Sequence, residues 1–228
     1  MTQTFDFGFG PVPAHQHANG GGWIADTASV ADTAYVGLNA WVSGNALVCG
    51  SARVSGSARV SDNALVSGDA WVSDYAQVYG SARVSGDAWV SGNARVSGNA
   101  RVSDNVLVSD YAQVYGSARV SGNALVSGNA WVSDNALVSD YAQVYGDARV
   151  CGDARVTSIL LTANRSDGHT FSVFTCDDGI VRYTAGCRYF TYEEAVDHWT
   201  KTRGGTKLGK ESIAIINYLR TMRDYQNE

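Results

Sequence analysis

Valine recurs at every sixth position from Val30 to Val156 without interruption. Alanine stands two residues before each valine of this series, except at position 106, where the chain has valine. An amphipathic helix repeats every 3.6 residues and a half-buried strand every two, so neither produces a period of six. A strict hexad over this length predicts a parallel β-solenoid, in which successive coils place equivalent residues side by side.

Each position of the hexad has a physical interpretation. Strand alternation directs alanine and valine inward and leaves the two neighbours of each valine facing outward. The next positions hold Ser, then Gly or Asp, then Asn, Asp, Ser or Tyr. Gly, Asn and Asp tolerate the positive φ that a sharp corner needs, so the sequence predicts a corner after every short strand.

The order Ala-x-Val-Ser-Gly/Asp-Asn/Asp resembles the hexapeptide repeat of left-handed β-helix proteins. The resemblance implies an all-β solenoid, a left-handed parallel β-helix whose triangular coils contain 18 residues each, with about seven coils between Ile24 and Thr157. Regular repeats of the ARVSGN type, followed by a short α+β tail, resemble uncharacterised hexapeptide-repeat proteins of phages and prophages. Such a protein is expected to act in the cytoplasm of a bacterial host cell.

The rest of the chain predicts two caps on the solenoid. Residues 1–23 are rich in aromatic residues and glycine without periodicity, which suggests an irregular N-terminal cap. Residues 24–157 form the repeat region. Within residues 158–228, SILLTA, TFSVFTC and IVRYTA are typical of strands, with DDG as a hairpin turn, whereas YEEAVDHWTKT and ESIAIINYLRTMRDY have helical spacing. A small C-terminal α+β domain therefore closes the last coil and protects its open edges.

The hydropathy and net charge of the chain limit the kinds of partner that it is expected to bind. No apolar segment reaches membrane-spanning length, and the net charge of −5 argues against long duplex nucleic acid. Cys49 and Cys151 replace Ser at outward positions, and Cys176 and Cys187 could face each other across the hairpin. Because the N-terminus has no secretion signal, we expect free thiols.

Residues 18 positions apart share one face of the prism, and the three faces differ. The outward residues of the first face are Tyr35, Arg53, Trp71, Trp89, Leu107, Leu125 and Gln143. Four consecutive large apolar side chains, Trp71, Trp89, Leu107 and Leu125, predict a self-association interface. Relatives of the hexapeptide-repeat family are commonly trimers, so the resemblance favours a homotrimer. The alternative is that serine neighbours keep isolated aromatic residues soluble.

The second face carries Leu47, Leu65, Arg83, Arg101, Arg119, Leu137 and Arg155. Like charges ~5 Å apart repel by about 1 kcal/mol in water. A bound anion would relieve the repulsion among Arg83, Arg101 and Arg119. The nearby corner residues Asp69, Asp87 and Asp104 could do the same, and the sequence leaves both possibilities open.

The third face carries Trp41, Arg59, Gln77, Arg95, Gln113, Trp131 and Arg149. The segment SDYAQVYG occurs at 73–80 and 109–116, which places Tyr79 and Tyr115 about 10 Å apart with Arg95 between them. Tyrosine rings can stack on a base, and an arginine can hold its phosphate. Duplication of a coil pair is the alternative, since a third copy at 139–146 lies on the first face.

The repeats contain no histidine and no inserted loop. Left-handed β-helix acyltransferases use a histidine with an extruded loop, so we predict no catalytic residue, no metal site and no cofactor. The GxxxxGK pattern at 204–210 has Glu211 where a P-loop has Ser or Thr, which favours a helix–helix turn. The sequence therefore favours a non-enzymatic binding protein that sequesters a nucleotide-like anion or blocks a host protein. A self-assembling scaffold and an acyltransferase-like enzyme are the alternatives.

Overall fold

The computed structural model describes residues 3–176, 178–186 and 188–226. Its central feature is a parallel β-solenoid of about seven turns with about 18 residues per turn. The hexad predicted the solenoid, and the resemblance to hexapeptide-repeat proteins implied the length of the turn. Strands in neighbouring coils pair in direct register, for example Val66 with Val84 and Val84 with Val102. The three faces assigned from the sequence are the three sheets of the solenoid.

Each solenoid strand after the first coil consists of one outward residue and the valine that follows it. The sheet of the first face contains Tyr35–Val36, Arg53–Val54, Trp71–Val72, Trp89–Val90, Leu107–Val108, Leu125–Val126 and Gln143–Val144. The sheet of the second face contains Ser29–Val30, Leu47–Val48, Leu65–Val66, Arg83–Val84, Arg101–Val102, Arg119–Val120, Leu137–Val138 and Arg155–Val156. The parallel part of the third sheet contains Trp23–Ala25, Trp41–Val42, Arg59–Val60, Gln77–Val78, Arg95–Val96, Gln113–Val114, Trp131–Val132 and Arg149–Val150.

The hexad valines and alanines form the core. Every valine of the series from Val36 to Val156 is at most 1% exposed, and so is Val106 in its alanine position. Burial of a valine side chain contributes roughly 1.5–3 kcal/mol before the entropy of ordering is subtracted. The prediction that the valine series lies inside is confirmed from Val36 to Val156, and Val30 in the first coil is partly buried against the core.

The corners use positive φ at the second position after valine. From Val42 to Val150 this position is Gly or Asp, and six aspartates adopt φ between 58° and 64°: Asp62, Asp74, Asp104, Asp110, Asp134 and Asp140. The asparagines that were also expected to use positive φ are absent from this group in the described residues. They form side-chain ladders between coils instead, such as Asn105 Nδ2 to Asn123 Oδ1 at 3.1 Å.

Two antiparallel strands extend the third sheet at its N-terminal end, in a segment that the sequence suggests to be irregular. Strand β1 (Thr4–Asp6) pairs with β2 (Pro11–Gln16), and β2 pairs with β3 (Trp23–Ala25). We call residues 3–16 the arm. Phe5 and Phe7 of the arm pack with Trp23 and Trp41 on the outward side of the sheet rather than into the solenoid core, and this packing accompanies the regular strand pairing.

The glycine-rich segment after the arm covers the first edge strand of the first face. Gly22 donates its N–H to the Val36 carbonyl at 2.9 Å, and Val36 donates to the Asn19 carbonyl at 3.0 Å. A Cβ atom on Gly20 would stand 2.3 Å from the Val36 carbonyl oxygen, and one on Gly22 would stand 2.4 Å from the Gly37 oxygen. Glycine is therefore required where the chain closes this edge.

The C-terminal region contains a four-stranded antiparallel sheet and two helices. The strands are Leu161–Asn164, Thr170–Thr175, Val181–Ala185 and Arg188–Phe190, and the helices are α1 (Tyr192–Arg203) and α2 (Lys207–Gln226). The first three strands and both helices were predicted, whereas Arg188–Phe190 was not. The GxxxxGK pattern spans the helix–helix turn and the first turn of α2, as expected.

This region packs onto the last coil of the solenoid. Leu160 and Phe174 are buried in the solenoid core, and Leu160 N donates to the Gln143 carbonyl at 3.0 Å. The Tyr189 hydroxyl accepts from Cys151 N at 2.8 Å and also donates to the Cys151 carbonyl. Burial raises the pKa of Tyr189 to about 12.

Cys151 differs from the expectation that the cysteines are free thiols. This residue is 2% exposed and disulfide-bonded, not an outward free thiol. The C-terminal region packs against this end of the solenoid, where the Tyr189 hydroxyl hydrogen bonds to the Cys151 backbone, so this outward position is not open to solvent. Cys49 is a partly exposed free thiol, as expected. Cys187 and Asp177 of the hairpin turn lie outside the described residues, so the suggested proximity of Cys176 to Cys187 stays a prediction.

Neither helix of the described chain has the length and hydropathy needed to span a bilayer.

Candidate functional site

Three arginines form a row on the second face of the solenoid. Arg83 pairs in register with Arg101, and Arg101 with Arg119, so their Cα atoms repeat at the coil spacing of roughly 4.8 Å. All three side chains are exposed. We call these three residues the arginine ladder.

Within the described residues, neither Asp69, Asp87 nor Asp104 forms an ion pair with any of the three guanidinium groups. Asp104 Oδ2 instead accepts the N–H of Gly122 in the next coil at 3.0 Å. Direct pairing with the corner aspartates is therefore not seen in the described residues, and anion binding stays a prediction.

The third face places the predicted tyrosines in different surroundings. Arg95 pairs in register between Gln77 and Gln113, as the spacing predicted. Tyr115, however, makes an edge contact with Trp131 one coil further on, with ring centroids 6.4 Å apart. Tyr79 lines a cavity on the opposite side, next to the arm, which Arg95 and Tyr115 do not line. The assignment of these three residues to one ligand remains a prediction.

The cavity next to the arm was not predicted from the sequence. It measures about 720 Å³ and lies between the arm and the third face. Its lining combines aromatic side chains of the arm, Phe7 and Phe9, with Trp41, Arg59 and Tyr79 of the solenoid. The alternating aromatic residues of FDFGF at 5–9 were the available signal, but they do not show what the arm packs against.

The first face carries a stacked tryptophan pair. The rings of Trp71 and Trp89 are 5.0 Å apart and nearly parallel at 6°, and both remain about two-fifths exposed, at 38% and 42%. Their indole N–H groups donate to Ser55 and Ser73 Oγ at 2.9 and 3.0 Å. The polar edges are therefore satisfied within the face, and apolar ring surface remains exposed. Leu107 and Leu125 continue the row and are partly exposed.

The histidines lie outside the repeats and make structural contacts. His15 Nδ1 lies 2.9 Å from Asp26 Oδ1, and His17 Nε2 lies 3.0 Å from the Ala34 carbonyl. His198 stacks on Phe190 at 4.9 Å. In the described part of the chain, no group of three or more His, Cys, Asp or Glu residues is arranged to hold a metal ion.

The comparisons with known proteins concern the repeats. A family model described as "YdcK Beta solenoid repeat" matches residues 58–74, 76–92, 88–102, 100–116 and 118–134. The protein is a β-solenoid repeat protein. No curated protein matches the chain significantly.

Two solved structures share part of this architecture. A UDP-N-acetylglucosamine acyltransferase from Campylobacter jejuni is 13% identical, with 68% of this chain and 76% of that chain covered and a TM-score of 0.29. LpxA from Acinetobacter baumannii is 9% identical, with 86% and 96% covered and a TM-score of 0.37. Likenesses at this level support no argument about the function of this solenoid.

Proposed function

We propose that the protein is a non-enzymatic binding protein whose arginine ladder holds an anionic, nucleotide-like small molecule. The single observation that carries this proposal is that Arg83, Arg101 and Arg119 are stacked in register without an acidic partner among the described residues. The resemblance to phage and prophage hexapeptide-repeat proteins suggests the setting, in which such a protein sequesters a nucleotide signal or blocks a host protein in the bacterial cytoplasm.

The chemistry of the ladder suits phosphate. Guanidinium groups are planar forks that bind phosphate oxygens through paired N–H donors. Three of them repeated at the coil spacing can contact successive phosphates of one molecule. The interaction would also remove the repulsion of about 1 kcal/mol between neighbouring charges.

The solenoid provides preorganisation. Each arginine is followed by a fully buried valine, namely Val84, Val102 and Val120. Backbone hydrogen bonds at 2.8–2.9 Å join each arginine strand to the next coil. The backbone of the ladder therefore does not need to reorganise on binding, which lowers the entropic cost of association.

The test is calorimetric titration of the full chain with ATP, a cyclic dinucleotide and ADP-ribose. Arg101→Gln removes the central charge, and we expect it to weaken binding at least tenfold, because hydrogen bonds to charged groups contribute about 1.5–3 kcal/mol. Binding to the wild type should weaken as salt is raised.

Arg53→Gln is the matched control. Arg53 occupies the same hexad position on the first face, where its guanidinium lies 5.5 Å from the ring centres of both Tyr35 and Trp71. It should leave affinity unchanged. The proposal fails if none of the three compounds binds, or if Arg101→Gln and Arg53→Gln bind as the wild type does.

A second candidate function is self-assembly through the first face, which the exposed Trp71–Trp89 stack supports. We propose a homotrimer with Trp71, Trp89, Leu107 and Leu125 in the interface. This assembly is compatible with the ligand proposal, because the ladder lies on a different sheet.

The two remaining alternatives have less support. An end-to-end scaffold needs open solenoid ends, but Gly22 and Asn19 hydrogen bond to the first edge strand of the first face, and Leu160 and Phe174 cover the last coil. An acyltransferase-like site would need a general base, and the repeats contain no histidine.

A further inference from the structure

The cavity between the arm and the third face has the size of a small-molecule site. Its volume of about 720 Å³ lies within the range of roughly 300–1,000 Å³ that is usual for ligand pockets. The arm forms one wall through Phe7 and Phe9, and the solenoid forms the other through Trp41, Arg59, Asp62 and Tyr79. None of these residues belongs to the arginine ladder, so the cavity is a separate site.

One side of the cavity is fixed by aromatic stacking. Phe7 stacks on Trp41 with ring centroids 5.3 Å apart and an interplanar angle of 13°. The Arg59 guanidinium lies 4.5 Å from the Trp41 ring centre. Asp6 Oδ1 accepts the N–H groups of Gly8 and Gly10 at 2.7 and 2.9 Å, which fixes the turn of the arm above this stack.

Phe9 differs from every other aromatic side chain of the arm because it is fully exposed at the cavity rim. It stands between Gly8 at φ 104° and Gly10 at φ 97°, a conformation that other residues rarely adopt. The turn therefore holds an apolar ring in water, although burying a phenylalanine side chain stabilises a protein by roughly 1.5–3 kcal/mol. A molecule inside the cavity would cover this ring.

The charged side chains that line the cavity limit the net charge of a ligand that can bind there. Asp62 Oδ2 accepts the Gly80 N–H at 2.9 Å, and Asp26 Oδ1 lies 2.9 Å from His15 Nδ1, so each carboxylate uses one oxygen in these contacts. The other oxygen of an ionised carboxylate can accept from a ligand donor. The lining contains two carboxylates and one guanidinium, that of Arg59, and this balance opposes a ligand with net negative charge.

We infer that this cavity binds a planar aromatic heterocycle without net negative charge, of the nucleobase or nucleoside class. Phe9 stacks on the ligand face that points to solvent. Asp62 accepts from exocyclic amino groups, and Arg59 and the Tyr79 hydroxyl donate to ring or carbonyl acceptors. The site differs from the arginine ladder in ligand charge and in position.

The probe is 2-aminopurine riboside, whose fluorescence decreases when its base stacks. Titration of the full chain should give saturable quenching, and the 5′-monophosphate of the probe should bind at least several-fold more weakly because of Asp62 and Asp26. Phe9→Ala should lower affinity for the riboside fivefold or more, the lower end of what one stacked aromatic contributes. Its thermal unfolding should match that of the wild type, because the side chain is fully exposed.

Two control variants test whether riboside binding is specific to this cavity. Tyr141→Ala removes another exposed ring, at 74%, far from the cavity lining and should leave the affinity unchanged. Arg101→Gln should also bind the riboside as the wild type does, whatever happens to anion binding on the second face. The inference is overturned by the absence of saturable quenching, by equal affinity of Phe9→Ala and wild type, or by tighter binding of the monophosphate.

Discussion

At the residue scale, Arg165 shows how one charged side chain is accommodated inside the C-terminal region. It is 5% exposed, and its Nε and Nη2 donate to the two carboxylate oxygens of Asp167 at 2.9 and 2.8 Å. Its Nη1 donates to Ser212 Oγ at 2.9 Å, and its guanidinium lies 5.3 Å from the Trp199 ring centre. A buried arginine is tolerated here because each of its three guanidinium nitrogens donates a hydrogen bond to an oxygen atom.

Asp167→Asn should destabilise the protein in a pH-dependent way. The hydrogen bonds from Arg165 lower the pKa of Asp167 from 3.8 to about 2. A carboxyl group with a lowered folded-state pKa contributes stability that is present above its unfolded pKa and is lost as pH falls through the folded one. The wild type should therefore exceed the variant in stability at pH 6, and the difference should shrink between about pH 4 and pH 2.

Urea unfolding followed by helical circular dichroism measures this difference. Acid effects from other carboxyl groups are common to both proteins and cancel. Asp178→Asn is the control, because Asp178 forms an exposed ion pair with Arg182 at 3.3 Å. A wild-type advantage that persists unchanged to pH 2 would contradict the proposed role of the Arg165–Asp167 pair.

At the element scale, the corners explain why aspartate can replace glycine in the hexad. Asp110 adopts φ 58°, and its Oδ2 accepts the N–H of Gly128 in the next coil at 2.9 Å. The same bond joins Asp62 to Gly80 and Asp74 to Gly92. The carboxylate thus offsets the strain of a left-handed conformation by a hydrogen bond between coils.

Asp110→Ala should destabilise the solenoid by about 1–3 kcal/mol, because alanine loses the hydrogen bond and keeps the left-handed strain. Asp110→Gly is the matched variant and should cost less than about 1 kcal/mol, since glycine adopts this φ freely. Chemical unfolding of both variants tests the difference. Equal destabilisation by alanine and glycine would show that the corner backbone does not depend on the conformational preference of this residue.

At the scale of the whole molecule, the arrangement of the three sheets decides which surface is available to a second copy. The Trp71–Trp89 stack lies on the first face between Arg53 and Leu107 in register. Arg53 continues the stack by cation–π contacts, with its guanidinium 5.5 Å from the Trp71 ring centre. The exposed ring surface of this row has the composition of an interface core.

Trp89→Glu should convert the proposed trimer to a monomer, because a carboxylate cannot be buried in an apolar interface without a partner. Multi-angle light scattering on wild type and variant measures the mass directly. Leu47→Glu is the control, because Leu47 is similarly exposed, at 39%, in the same hexad position of the second face. A monomeric wild type, or a Trp89→Glu protein with unchanged mass, would count against this interface.

The repeat pattern is enough to predict the solenoid and the inward valines, because every hexad repeats the same local conformation. The assignment of each residue to a face also needed three hexads per coil, which the resemblance to hexapeptide-repeat proteins implied. The neighbours of Arg101 and Trp89 are then set by addition of 18 residues, and the pairing of Arg83 with Arg101 agrees. The C-terminal helices were also predictable from their own periodicity.

Contacts between segments that do not share the period become visible only in the folded molecule. The packing of Phe7 on Trp41, the hydroxyl of Tyr189 on the Cys151 backbone and the buried position of Arg165 each join residues without a fixed sequence offset. The cavity next to the arm belongs to the same class, because its walls come from residues 7–13 and from four successive coils. A periodic pattern specifies neighbours within the repeat, whereas packing between non-repeating segments depends on shapes and charges that become adjacent only after folding.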